Sequence, residues 1–289
     1  MKKKIQTSTS YTSLNEKKNR QTLIELFNNW PSSDEFRMRN LGLFQNRINL
    51  MRILFMNELS DVFHEEMEDP IITMATPAVD WNNAWDYNSL AQITDGLFIM
   101  GYNYFYSSSS TAGPVSPLGG YYYDLEYTLN DYIQKTEGQL DKIILGLPYY
   151  GYDWPVIDDE ENSFTTGIGV ARVYSTAESM ANNFGSMWNS ESISQWFSYQ
   201  NDLDWNQCWY DDSLSLSHKY QFAIDSDIAG VGIWALGYDN GNDELWGALY
   251  DKFVYLLEGD INNIGRLSLV CYLRHKMLNC KTKKLKTKN

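Results

Sequence analysis

The residues best suited to chemistry stand where apolar runs give out. In residues 95–118, DGLFIMGYNYFYSSSSTAGPVSPL, an apolar run through Met100 ends in Tyr102, Asn103, Tyr104 and Phe105. A serine-rich loop follows, closed by Gly113, Pro114 and Pro117. Phenols and amides donate and accept hydrogen bonds without carrying charge. Tyr and Trp also present rigid flat faces with a polar edge, which suits stacking on the apolar faces of sugar rings. The same kind of ending recurs in KIILGLPYY, which closes on Tyr149 and Tyr150, and in IAGVGIWAL, which carries Trp234. A buried strand that empties into a polar, aromatic loop is how α/β proteins build sites at the carboxyl ends of their strands. Residues 95–118 are therefore expected to form one wall of a cleft.

Other chemistries find little support. His64, His218 and His275 are scattered, with no base or ligand partner at useful spacing. Cys208, Cys271 and Cys280 leave an odd thiol and match no metal-ligand spacing. Asp158-Asp159-Glu160-Glu161 reads as a solvated loop, and no nucleophile elbow is present. The net charge of −14 argues against a nucleic-acid partner. That charge is uneven: residues 259–289 hold eight Lys or Arg against one acid, leaving 15 basic residues against 36 acids elsewhere. Aromatic residues make up 15% of the chain, with 21 Tyr and 10 Trp, enough to fill a core and still line a cleft. The opening MKKKIQTSTSYTSL lacks the apolar stretch of a signal peptide, and no window reaches the length of a membrane span. A chain of this sequence would stay in the cytoplasm, and its oligomeric state is not legible.

The elements that must position these residues follow from periodicity. Helices are predicted over residues 20–30, 50–67, 85–93, 125–137, 213–226 and 243–257. In the second of these Phe55, Leu59, Val62 and Phe63 share one face. Apolar runs at 71–78, 96–102, 142–150 and 228–236 read as buried strands. Residues 151–212 read as a long irregular region, and 31–49 show neither period. Strands alternating with helices imply right-handed βαβ units and a parallel sheet.

Three strand-end motifs together resemble glycoside hydrolase family 18, the chitinase family. Met100-Gly101-Tyr102-Asn103 is similar to that family's sixth-strand M-x-Y-D, with Asn in place of Asp. Gly146-Leu147-Pro148-Tyr149-Tyr150-Gly151 is similar to its seventh-strand G-x-P-x-Y-G, and Gly230-Val231-Gly232-Ile233-Trp234 to its eighth-strand G-x-x-x-W. The resemblance implies an α/β fold of the (β/α)8 TIM-barrel type, here incomplete, with an irregular insertion between the last two strands. It divides the chain into a divergent segment, 1–49, a barrel portion, 50–258, with its insertion at about 151–212, and the basic tail.

The resemblance implies the substrate-assisted chemistry by which family 18 departs from most glycosidases, and it implies no metal or organic cofactor. One Glu protonates the leaving oxygen, and the acetamido carbonyl of the substrate attacks the anomeric carbon. The resemblance accordingly implies a partner glycan containing N-acetylglucosamine, touched by Met100, Tyr102, Asn103, Tyr150 and Trp234. Trp81, Trp154, Trp205 and Trp209 are either outer subsites or packing. The family's acid ends a fourth-strand D-G-x-D-x-D-x-E run, which belongs between the 20–30 and 50–67 helices. No such run stands there. Asp34 and Glu35 are the only adjacent acids, without apolar alternation around them, and Glu35 is the single candidate acid. Three readings stay open: a hydrolase short of its acid, a non-catalytic lectin-like protein, or an inactive fragment of a disrupted chitinase gene.

Overall fold

Four apolar runs become strands that lie side by side, all pointing one way. The computed structural model describes residues 41–253. In chain order they form α1 (Leu41–Glu66), β1 (Thr73–Pro77), α2 (Tyr87–Ile93), β2 (Gly96–Met100), α3 (Leu125–Lys135), β3 (Ile143–Pro148), β4 (Tyr150–Val156), β5 (Val170–Val173), α4 (Tyr174–Phe184), β6 (Met187–Asn189), β7 (Ser194–Asn201), β8 (Asp204–Tyr210), α5 (Ser213–Asp225), β9 (Gly230–Trp234) and α6 (Glu244–Phe253). The parallel sheet has the order β1-β2-β3-β9. Three helices start on aspartates that accept from the backbone N–H three residues on: Asp86 for α2, Asp124 for α3 and Asp212 for α5. Such caps satisfy a helix donor that has no partner within the helix, and each is worth about 1 kcal/mol.

Alternation along the strands sorts side chains onto two faces. Leu97, Ile99, Ile143, Leu145 and Leu147 are fully buried and share one core with Leu90, Leu129, Tyr132 and Leu216 of the helices. The other face carries Ala75, Phe98, Ile144 and Gly230, which the register sets side by side. Here the Phe98 ring lies on the sheet itself. A Cβ at Gly146 would fall 2.3 Å from that ring and one at Gly232 2.1 Å, so both positions need glycine. The two central strands are buried along most of their length, whereas β1 and β9 are only partly covered. An eight-stranded barrel has no edges. Among the described residues the sheet stops at four strands, so the barrel they form is open, consistent with the incomplete barrel expected.

Three expectations need correction. The insertion lies between the last two parallel strands, but it is not irregular. It is a five-stranded antiparallel sheet of order β5-β4-β8-β7-β6, with α4 between β5 and β6. Its own core is Trp154, Val156, Trp196 and Trp209, with the Trp196 and Trp209 rings stacked at 5.4 Å. Aromatic residues filling both faces hide the two-residue alternation that marks a half-buried strand. Second, α1 begins at Leu41 rather than at residue 50, because LGLFQNRIN contains no proline and its one glycine costs a helix only about 1 kcal/mol. Third, α1 turns Ile53, Met56 and Leu59 to the core and leaves Phe55, Val62 and Phe63 exposed. The 20–30 helix, the basic tail and the end of the last helix lie outside the described residues.

A buried ion pair fastens the inserted sheet to the barrel portion. Lys219 of α5 donates to Asp211 at 2.5 Å, just past β8, and Ser194 of β7 donates to the same carboxylate. Burial pushes the Asp211 carboxyl up and the Lys219 ammonium down, against their mutual attraction. Lys219→Met leaves Asp211 a buried charge without its partner, and the expected loss is about 3–5 kcal/mol in urea unfolding. With its pKa raised in the folded state, Asp211 then holds its proton more tightly folded than unfolded. The loss therefore grows as pH rises through and above the ordinary value of 3.8. A variant as stable as the parent would show that the pair contributes nothing.

Candidate functional site

Main-chain hydrogen bonds carry the parallel ladder past the strand ends. Gly101 donates to the Gly146 carbonyl at 3.0 Å, and Tyr149 to the Trp234 carbonyl at 2.7 Å. A Cβ at Gly101 would fall 2.7 Å from the Gly146 oxygen, so the close approach requires glycine. Behind the tip, Ser116 donates its hydroxyl to the Gly101 carbonyl at 2.6 Å. The three tips are thus held together, and their side chains meet.

Tyr102 lies at the centre. Its ring is 6.3 Å from Trp234 with the planes 27° apart, and 6.1 Å from Tyr150 nearly edge-on. The Tyr150 hydroxyl donates to the Asn103 side-chain oxygen at 2.5 Å. Asn103 sits at φ 63°, a left-handed conformation that Asn and Asp tolerate better than most residues. Met100 ends β2 beside Pro77 and Gly146. Trp234 is 51% exposed, so a broad indole face is open to a ligand, and the Trp234–Ala235 peptide is cis. The five residues named from the sequence therefore cluster at adjoining strand tips.

The electrostatics are as uncharged as the residue types. Burial alone pushes the Tyr102 phenol up. Tyr150 is pushed far up by burial and by the neighbouring phenols Tyr152, Tyr102 and Tyr238. Among the described residues, no carboxylate takes part in either shift. Asp34 and Glu35 lie outside the described residues. The described His64 and His218 are exposed, and no three His, Cys, Asp or Glu are grouped to hold a metal among the described residues.

Two neighbours were missed in the sequence. Tyr152 lies 5.9 Å from Tyr150 and Tyr238 lies 6.4 Å from it, both edge-on. Tyr152 was legible in principle, since residues two apart on a strand share a face. Of the loop tryptophans, Trp154 and Trp209 are wholly buried and Trp205 packs against them, so these are core residues of the insertion and not subsites. Trp81 is 61% exposed. The Tyr150–Asn103 bond and the backbone at Asn103 give a prediction. Asn103→Ala loses about 1 kcal/mol for the hydrogen bond and about 1 kcal/mol for the left-handed backbone, read by urea unfolding. Asn103→Asp keeps both the acceptor and the tolerance, and should unfold at a denaturant concentration no lower than the parent.

Comparison with known proteins places this geometry. The family model described as glycosyl hydrolases family 18 matches residues 10–239. A cortical fragment-lytic enzyme of Bacillus subtilis is 28% identical over 209 residues, covering 69% of this chain and 45% of that protein. Human di-N-acetylchitobiase is 24% identical over 228 residues, covering 68% of this chain and 58% of its own length. The chain thus spans about half the length of the curated relatives it matches. Among solved structures, a class V chitinase from Nicotiana tobaccum in complex with NAG4 superposes with a TM-score of 0.63 at 19% identity, over 72% of this chain and 64% of that one. Because the family match covers residues 10–239, a range that takes in all four parallel strands and the sheet inserted between the last two, the chain belongs to glycoside hydrolase family 18.

Proposed function

We propose that the strand-tip cleft binds glycans containing N-acetylglucosamine and that the chain turns them over little or not at all. The observation that carries the binding reading is the half-exposed Trp234 indole, nearly parallel to the Tyr102 ring. Such a face stacks on the C–H face of a pyranose, while Tyr102 offers its hydroxyl to the acetamide. Tyr150 holds Asn103 at the rim, and Met100 ends β2 two residues past Phe98, on the same face of the strand. The names of the human relative and of the tobacco complex support the choice of sugar. The chitobiase name and the bound NAG4 both point to N-acetylglucosamine oligomers.

The reading of lost turnover rests on two observations. No D-G-x-D-x-D-x-E run stands between the predicted 20–30 and 50–67 helices, and Asn103 replaces the family's sixth-strand Asp. An amide can position substrate, but it supplies neither a proton at the glycosidic oxygen nor negative charge beside a developing cation. A site of this kind is therefore expected to bind in the manner of a lectin.

Retention on chitin beads tests the binding, with Trp234→Ala expected to lose most of it. Equal retention of parent and variant would remove the cleft from the proposal. A fluorogenic chitotrioside tests turnover, with Glu35→Gln as the control. Hydrolysis well above background in the parent, abolished in that variant, would make Glu35 the acid and overturn the lectin-like reading.

A further inference from the structure

Helix α4 starts differently from α2, α3 and α5. Val173 precedes it and offers no side-chain cap. The first N–H groups of a helix have no partner within it and must find one elsewhere. Here the Tyr174 N–H donates to the Tyr149 carbonyl at 2.8 Å, and the Ser175 N–H to the Tyr238 carbonyl at 3.2 Å. Both carbonyls lie outside the insertion. Tyr149 stands between β3 and β4, and Tyr238 in residues 235–243, the loop from β9 to α6. The helix of the insertion is thus capped by the two segments that adjoin Tyr150 and Trp234.

The Tyr174 side chain makes the same connection a second time. It is wholly buried, and its hydroxyl donates to Glu244 Oε1, at the head of α6, at 2.9 Å. Burial pushes the phenol far up, and the Glu178, Glu244 and Asp212 carboxylates push it further, so it stays a donor. Glu178, one turn on in α4, accepts instead from Tyr210 of β8. The 235–243 loop is therefore gripped at both ends. Tyr149 donates to the Trp234 carbonyl at 2.7 Å before it, and Tyr174 holds Glu244 after it. Such pins matter here because Gly237, Asn240 and Gly241 sit at φ 89°, 50° and 82°, and glycine has the most backbone freedom to lose. Among the described residues, β9 has a sheet neighbour on one side only, β3.

We propose that Tyr174 is a positioning residue of the cleft: through Glu244 it fixes the 235–243 loop, and the loop fixes the Trp234 indole against the Tyr102 ring. This rests on the proposed reading of the cleft as a glycan site. Tyr174 is too deeply buried to meet a ligand itself. It acts on affinity because a platform already held in its binding orientation has less freedom to lose when a sugar stacks on it. The insertion then governs both flanks of the mouth, since β4 carries Tyr150 and α4 holds the loop behind Trp234.

The experiment measures calorimetric affinity for chitotriose, amide hydrogen exchange of residues 234–243, and urea unfolding. The chains compared are the parent, Tyr174→Phe, Glu244→Leu, their double variant and Glu244→Gln. Tyr174→Phe removes one oxygen and keeps the ring and the N–H bond to Tyr149. It should bind chitotriose about tenfold more weakly and exchange faster across 234–243. Glu244→Leu should match it, and the double variant should be no worse than either single change. Glu244→Gln keeps the acceptor, and should bind and exchange as the parent does. A folded Tyr174→Phe chain with parental affinity overturns the proposal even if it unfolds at lower urea, because the bond is then structural alone. A parent that binds no chitotriose removes the glycan reading. The hold on Trp234 then stands if Tyr174→Phe speeds exchange of the loop, and falls if it does not.

Discussion

Parallel strands are tied together by evenly spaced main-chain bonds, so their ends can splay apart only where the ladder stops. Here the ladder runs on. Gly101 bonds to Gly146 and Tyr149 to Trp234, each beyond a strand terminus. Tyr149 in turn accepts from Tyr174, the first residue of α4, which ties the inserted sheet to the same point. The position of every side chain at the mouth follows from these bonds. Tyr102 is one residue past its tether, Tyr150 one residue past its own, and Trp234 supplies the carbonyl that Tyr149 needs. On the barrel side the sheet can draw this tight because Gly146 and Gly232 leave room for the Phe98 ring. A methyl group at either place would push the ring away and the tips with it.

The same sheet carries a tension at its margins. Edge strands in soluble proteins commonly bear charges or prolines that discourage further pairing. β1 reads Thr-Met-Ala-Thr-Pro and β9 Gly-Val-Gly-Ile-Trp, with no charge on either and one proline at the end of β1. These are sequences of interior strands. Their partial exposure among the described residues is the local consequence of a four-stranded arc in a fold whose relatives close on eight. The inserted sheet has no such difficulty. It folds around its own tryptophans and is pinned by Asp211 and Lys219, so the site has one firmly built side, formed by β3, β4 and the insertion.

Legibility in the sequence followed the physics of each element. The four parallel strands could be read because each lies in an apolar run of the kind that interior strands show, bounded here by aspartates, glycines and prolines. The strand-tip residues could be read because glycine at 101 and 146 is demanded by close approach, which ties short motifs to one geometry. The inserted sheet could not. In SQWFSYQN and DWNQCWY, polar residues are interleaved with rings on both faces, so no two-residue period survives. Trp154 and Trp209 were open to a surface reading for that reason, and only the pairing of β4 with β8 shows them to be core. The face of α1 failed differently. Its apolar residues outnumber what the described neighbours cover, and periodicity cannot tell which subset will be chosen.

Asn103, where the resembling family motif has Asp, links the fold to the proposed function. A carboxylate beside Tyr150 would gain a charge-assisted hydrogen bond from the phenol and place negative charge at the rim. Asn103 keeps the geometry of that bond and removes the charge. Binding a neutral acetylated sugar in its ground state needs stacking faces and uncharged hydrogen-bonding groups, and these remain at Trp234, Tyr102 and Asn103. Accelerating cleavage needs interactions that strengthen only as charge develops in the transition state. Those come from an acid and from fixed negative charge, and neither acts on the Tyr102 or Tyr150 phenols among the described residues. On the proposed reading, the features that survive at the strand tips are those that uniform binding requires, and the feature replaced is one that differential binding requires. Loss of turnover with retained recognition is the outcome such a division produces.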